Sequence, residues 1–136
     1  MNEELLRQDL IRDEGLRLKP YRCTAGKLSI GVGRNLDDVG ISASEAEYML
    51  HNDILGVQLD LDKHLPWWRK LSEARQRVLA NMAFNLGIQT LLGFKNTLAA
   101  VERGDYEAAA VGMGASKWAV QVGPRATRLI KQMREG

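Results

Sequence analysis

Lys27-Leu28-Ser29-Ile30-Gly31-Val32-Gly33 breaks the helical reading that suits most of this chain. Leu28, Ile30 and Val32 alternate with small or polar residues, which is the period of a strand. The glycines between them weaken a strand but let backbone or ligand approach closely. Pro20 and the turn-forming Thr24-Ala25-Gly26 stand just ahead. The stretch from Leu18 to Gly33 therefore predicts a small antiparallel sheet.

On either side the pattern is helical. Leu6, Leu10 and Glu14 stand four apart, so they share one stripe of a helix beginning near Asn2, and Gly15 fits its stop. Ser42-Ala43-Ser44-Glu45 is a capping box, opening a helix that runs to about His64, before Pro66. Ser72 opens another, with Arg75, Leu79, Met82 and Leu86 along one face, Val78 and Ala83 widening the stripe, and Gly87 ending it. Shorter helices are expected around Gln89–Leu92, Thr97–Arg103, Asp105–Val111 and Ser116–Val120, with a last one after Pro124. The predicted fold class is α+β, mainly α, in one domain over residues 1–136. It comprises a β-rich lobe (15–41), a connecting helix (42–64) and a helical lobe (1–14 and 65–136). A cleft between unequal lobes follows from such a layout, and clefts suit extended substrates.

The chain has 136 residues, enough for one domain with a core, and its apolar fraction of 45% argues against wholesale disorder. Nineteen basic and 17 acidic residues leave a net charge of +2, too small an excess to argue for nucleic acid. The imbalance is local: Lys117, Arg125, Arg128, Lys131 and Arg134 are opposed only by Glu135. That segment suits an anionic polymer, although a solvated helix face is the plainer reading. Cys23 is the only cysteine, so no internal disulfide forms, which fits synthesis in a reducing cytoplasm. No secretory signal and no run of about 18 apolar residues is seen, so no membrane insertion is expected. His51 and His64 lack further ligands at metal spacing, so neither a metal site nor a cofactor is expected. Trp67 and Trp68, in a loop after Pro66, read as packing residues.

The segments Asp13-Glu14-Gly15-Leu16-Arg17-Leu18-Lys19 and Leu28–Gly33 together resemble the phage lysozymes of glycoside hydrolase family 24. The likeness continues in order through Asn81-Met82-Ala83-Phe84-Asn85-Leu86-Gly87, Gly93-Phe94 with Asn96 and Leu98, and Glu107-Ala108-Ala109. It ends with Ser116, Trp118 and Arg125-Ala126. The resemblance implies the lysozyme fold and cleavage of the β-1,4 bond between N-acetylmuramic acid and N-acetylglucosamine in peptidoglycan. It also implies a catalytic pattern of Glu, eight residues, Asp or sometimes Cys, five residues, Thr; Glu14, Cys23 and Ser29 fall at those spacings. By the same likeness Arg125 orients Glu14, and Arg34 with Asp53 forms a salt bridge between sheet region and long helix. Asn35, Phe84, Asn85 and Thr97 match positions lining the saccharide cleft, with a core role competing at Phe84. Asn35 and Gly112 stand where the family's best-known member has leucine and asparagine.

Glu14 also answers to chemistry. Glycosidic cleavage needs a proton delivered to a poorly leaving oxygen while positive charge builds on the sugar. A carboxyl keeps that proton at neutral pH when apolar groups surround it, and the stripe through Leu6 and Leu10 offers such surroundings. Cys23 leaves three readings open: a thiolate base or nucleophile activated by a cation such as Arg22, Lys27 or Arg34, a filler beside Ser29, or assistance from the substrate's own N-acetyl group. A cysteine that only packs is the bland alternative. Two other functions compete: a lytic transglycosylase giving 1,6-anhydro products, and an inactive peptidoglycan-binding module. A helical nucleic-acid binder ranks last. The expectation is a monomeric endolysin made in the host cytoplasm, reaching the cell wall with a holin-type partner.

Overall fold

The computed structural model describes residues 1–136. Its elements follow the local signals closely. Helix α1 (Glu3–Glu14) starts where the Asn2 side chain accepts from the Leu5 N–H and stops at Gly15. A three-stranded antiparallel sheet follows: β1 (Arg17–Arg22), β2 (Leu28–Gly31) and β3 (Arg34–Asn35), in that spatial order. The sequence reading stopped the sheet at Gly33. The tight turn at Val32-Gly33 brings the chain straight back, so Arg34 pairs with Ile30 and Asn35 with Ser29. A shift of register between Arg17 and Tyr21 interrupts the β1–β2 ladder.

The long helix α2 (Ala43–His64) opens on the predicted capping box, with Glu45 N–H on Ser42 Oγ at 3.1 Å and Ser42 N–H on Glu45 Oε1 at 2.9 Å. A 3-10 turn (Trp68–Lys70) leads into α3 (Glu73–Leu86), capped by Ser72 and ended by Gly87. Then come α4 (Ile88–Leu92), α5 (Lys95–Glu102), α6 (Tyr106–Gly114), α7 (Lys117–Val122) and α8 (Pro124–Glu135). The mainly helical α+β class expected from the sequence is the class observed.

The chain forms two compact units, residues 1–48 and 49–136. The first helix groups with the sheet in the first unit. Only Gly15 and Leu16 separate α1 from β1, which keeps it local to the strands. Within the first unit Ser29 alone is buried; every buried apolar side chain belongs to the second. Fewer than 50 residues rarely enclose a core of their own. In the second unit α8 packs on α3, α6 and α7, and α5 packs on α6. Val78, Leu79 and Met82 of α3 meet Leu91, Val101, Met113 and Met133 in one cluster. Trp68 is buried and donates from its indole to Asp62, so it is a packing residue, as expected.

Candidate active site

Glu14 is the last residue of α1. Gly15 turns the chain at φ 78°, its N–H donating to Ile11 O at 2.8 Å. The Glu14 side chain then lies along the turn between β2 and β3. A Cβ built on Gly33 would fall 2.9 Å from its Oε2, 3.2 Å from Cδ and 3.3 Å from Cγ. The expected apolar surroundings are not those of its own stripe. No residue of α1 is buried, and Leu6 and Leu10 keep 37% and 43% of their surface exposed.

Cys23 and Ser29 are brought together at the other hairpin. The turn Thr24-Ala25-Gly26 closes on two backbone bonds, Cys23 N–H to Lys27 O at 2.9 Å and Gly26 N–H to Cys23 O at 2.8 Å. The backbone N–H groups of Lys27, foremost, and of Ala25 hold the thiol below its ordinary pKa; burial opposes them, and the Ser29 hydroxyl adds a smaller lowering effect. Ser29 is itself buried, its hydroxyl 3.3 Å from Lys27 O.

The cations proposed to activate Cys23 are all engaged elsewhere. Arg22 donates to Gly26 O at 3.1 Å and stands 3.9 Å from Asp37. Lys27 reaches Asp38 at 3.3 Å. Arg34 donates to Gly40 O and to Glu45. Polarisation of the thiol therefore comes from hydrogen bonds of the hairpin. Within the first unit the carboxylate that Arg34 meets is Glu45, a partner the sequence reading did not name. Glu45 already faces back toward the helix start as a capping residue, so its oxygen is at hand for both donors. Asn35 stands opposite Ser29 on β3, but its amide is tied to Asp38 by two bonds of 2.9 and 3.0 Å.

In the second unit Phe84 is 47% exposed and lines an open groove of about 570 Å³ with Leu50, Ile54, Val57 and Leu129. The competing core reading fails there, because the side chain lies outside the buried face of α3. Asn85, next along the helix, accepts from the indole of buried Trp118 at 2.9 Å. Thr97 is buried, its hydroxyl against the backbone of Gly112. Arg125 places Nε and Nη2 on Asn81 Oδ1 at 2.9 and 2.7 Å.

A helix-ending glutamate laid on a glycine turn, with a polarised cysteine and a buried serine in the same small sheet, follows the order of one known family. Residues 11–135 match the family described as phage lysozyme. The chain belongs to the phage lysozyme family. It is 31% identical, over 88% of its length, to the pre-baseplate central spike protein Gp5 of Enterobacteria phage T4, of which it spans only 26%. It is 33% identical to an endolysin of Acyrthosiphon pisum secondary endosymbiont phage 1, covering 72% of this chain and 67% of that one. A probable T4-type lysozyme of Dictyostelium discoideum is 25% identical, over 95% of this chain and 94% of its own. Membership makes this phage-type lysozyme a glycoside hydrolase with peptidoglycan as its substrate class.

Several contacts of this lysozyme-family chain escaped the sequence reading. Asp37 accepts the Leu28 N–H at 2.7 Å and so closes the ladder beside Ser29. Its neighbour Asp38 holds Asn35 and Lys27. The paired aspartates after a strand were the available signal, since such residues bind backbone N–H groups in turns. Gly33 carried a signal as a glycine in a strand-like run, but nothing local names Glu14 as its neighbour.

Proposed function

We propose that this chain is an endolysin that hydrolyses the bond between N-acetylmuramic acid and N-acetylglucosamine, with Glu14 as general acid. The observation that supports it is the Glu14 carboxyl laid on the β2–β3 turn of the same small sheet whose first hairpin carries Cys23 and Ser29. Glu14 gives its proton to the bridging oxygen as the C1–O bond breaks. Water adds to C1, and its proton passes to the Cys23 thiolate, which the Ser29 hydroxyl helps to orient. Proton return through solvent restores both groups, and the product carries a reducing end. A thiol held below its ordinary pKa supplies more thiolate at neutral pH than an ordinary cysteine would.

Asn35, Phe84, Asn85 and Thr97 are carried as saccharide-binding positions on the family resemblance. Phe84 has the strongest support, as an exposed ring in a groove that can stack on a sugar. Arg125 is carried on the same ground as the residue that orients Glu14, and Asp53 as a supporting carboxylate. No helix is long and apolar enough to cross a membrane. Synthesis in the host cytoplasm as a monomer and dependence on a holin-type partner for reaching the wall are carried on the family resemblance.

Lysis of chloroform-treated Gram-negative cells tests the assignment. Wild type clears the suspension, Glu14→Gln does not, Cys23→Ala is impaired, and Cys23→Asp recovers activity. Mass spectrometry of the released muropeptides then separates hydrolysis from transglycosylation, whose 1,6-anhydro products are lighter by one water. A fully active Glu14→Gln protein, or anhydro products alone, would overturn the reading.

A further inference from the structure

We infer that Gly33 is a positioning residue for the general acid, its bare backbone forming the shelf on which the Glu14 carboxyl rests. The inference rests on the reading of Glu14 given above. Glutamate has three rotatable bonds, and at the exposed end of a helix nothing in its own chain selects one arrangement. Here Cγ, Cδ and Oε2 all lie within 3.3 Å of the point where a Cβ on residue 33 would stand. Oε2 is closer than real Cβ contacts come and Cδ and Cγ are tight, so a Cβ at residue 33 would make the Glu14 side chain shift.

Two glycines flank the turn and make an internal control. Gly31 and Gly33 both have positive φ, 69° and 67°. A Cβ on Gly31 meets nothing within 4 Å, whereas one on Gly33 meets Glu14. Alanine at either position therefore strains a backbone that favours glycine. Only alanine at 33 must also move the carboxyl, and it moves a flexible tip rather than the packed interior. The two substitutions should look alike in folding and differ in chemistry. A misplaced proton donor loses turnover rather than binding, because alignment with the bridging oxygen matters most in the transition state.

The test compares wild type, Gly31→Ala, Gly33→Ala and Glu14→Gln on purified peptidoglycan, with melting temperature, kcat, KM and a pH profile for each. The two alanine variants are expected to melt within about 3 °C of each other. Gly31→Ala should keep kcat within about twofold of wild type. Gly33→Ala should lose at least about tenfold in kcat with little change in KM, and the limb of its pH profile that reports the acid should move. A Gly33→Ala protein that tracks Gly31→Ala in kcat and pH profile would overturn the shelf, as would one that fails to fold where Gly31→Ala folds. Either result leaves Glu14 as the acid so long as Glu14→Gln is dead. An active Glu14→Gln protein would remove the acid assignment and the shelf with it.

Discussion

Arg34 Nη1 donates to Glu45 Oε1 at 2.9 Å, so the second strand pair is fastened to the first turn of the long helix through the residue that caps it. The same oxygen accepts the Ser42 N–H at 2.9 Å. Arg34 is the leading cause that holds the Glu45 carboxyl at about 2, with the two Ser42 bonds following. A carboxylate whose folded value is depressed stabilises the fold above its unfolded value and loses that contribution as pH falls through the folded one.

Melting temperature should therefore fall as pH drops from about 4.3, the ordinary glutamate value, toward about 2. Glu45→Gln should melt lower than wild type at neutral pH and show a flatter profile across that window. Equal slopes for the two proteins between pH 5 and pH 2 would contradict this account. Both side chains are partly exposed, so added salt should narrow the difference.

Alkylation reads the state of Cys23 directly. Because the hairpin N–H groups and the Ser29 hydroxyl favour the thiolate, the rate with iodoacetamide should rise with pH around a midpoint below that of a free cysteine. Ser29→Ala removes one of the lesser donors and should move the midpoint up only part of the way. Arg22→Gln, Lys27→Gln and Arg34→Gln should move it little, since each cation is engaged elsewhere. A large shift in any of those three would restore the cationic explanation.

Gly112 and Thr97 form a pair in which sign reverses with context. Alanine in place of a helical glycine normally stabilises by roughly 0.5–1 kcal/mol. A Cβ at position 112 instead runs into the buried Thr97 hydroxyl, and overpacking costs about 1–3 kcal/mol. Gly112→Ala alone should destabilise, while in a Thr97→Ala background it should be neutral or stabilising. Urea unfolding of the four proteins in this cycle gives the coupling.

Arg75 holds the end of α8. Its guanidinium donates to Met133 O at 2.8 Å and Arg134 O at 3.1 Å, and it lies over the Tyr106 ring with Cζ 3.5 Å from the centroid. Charged hydrogen bonds and a cation–π contact together suggest a loss of about 2 kcal/mol in Arg75→Ala, measured by urea unfolding. Arg75→Lys should recover less than half, because one ammonium cannot serve both carbonyls and the ring.

Phe84 separates stability from binding. Half exposed on its groove, it should cost less than about 1 kcal/mol of stability when changed to alanine. If it stacks on the glycan, Phe84→Ala should raise KM for peptidoglycan several-fold with kcat little altered. An unchanged KM would remove it from the saccharide-binding set.

What was legible beforehand was local. Asn2, Ser42, Ser72, Asp105 and Ser116 each cap a helix by a side-chain bond to a backbone N–H three residues on, and Gly15 and Gly87 end helices at positive φ. Interactions of that range are spelled out by neighbouring residues, so helix limits and the order of the elements could be read from sequence. The Glu14, Cys23 and Ser29 spacing was legible too, through resemblance. Which groups meet across the fold was not. Arg34 found Glu45, Gly33 received Glu14, and the Cys23 thiol found backbone donors in place of cations. Those outcomes depend on strand register and on how the turns aim their side chains, and such distances exist only once the chain has folded.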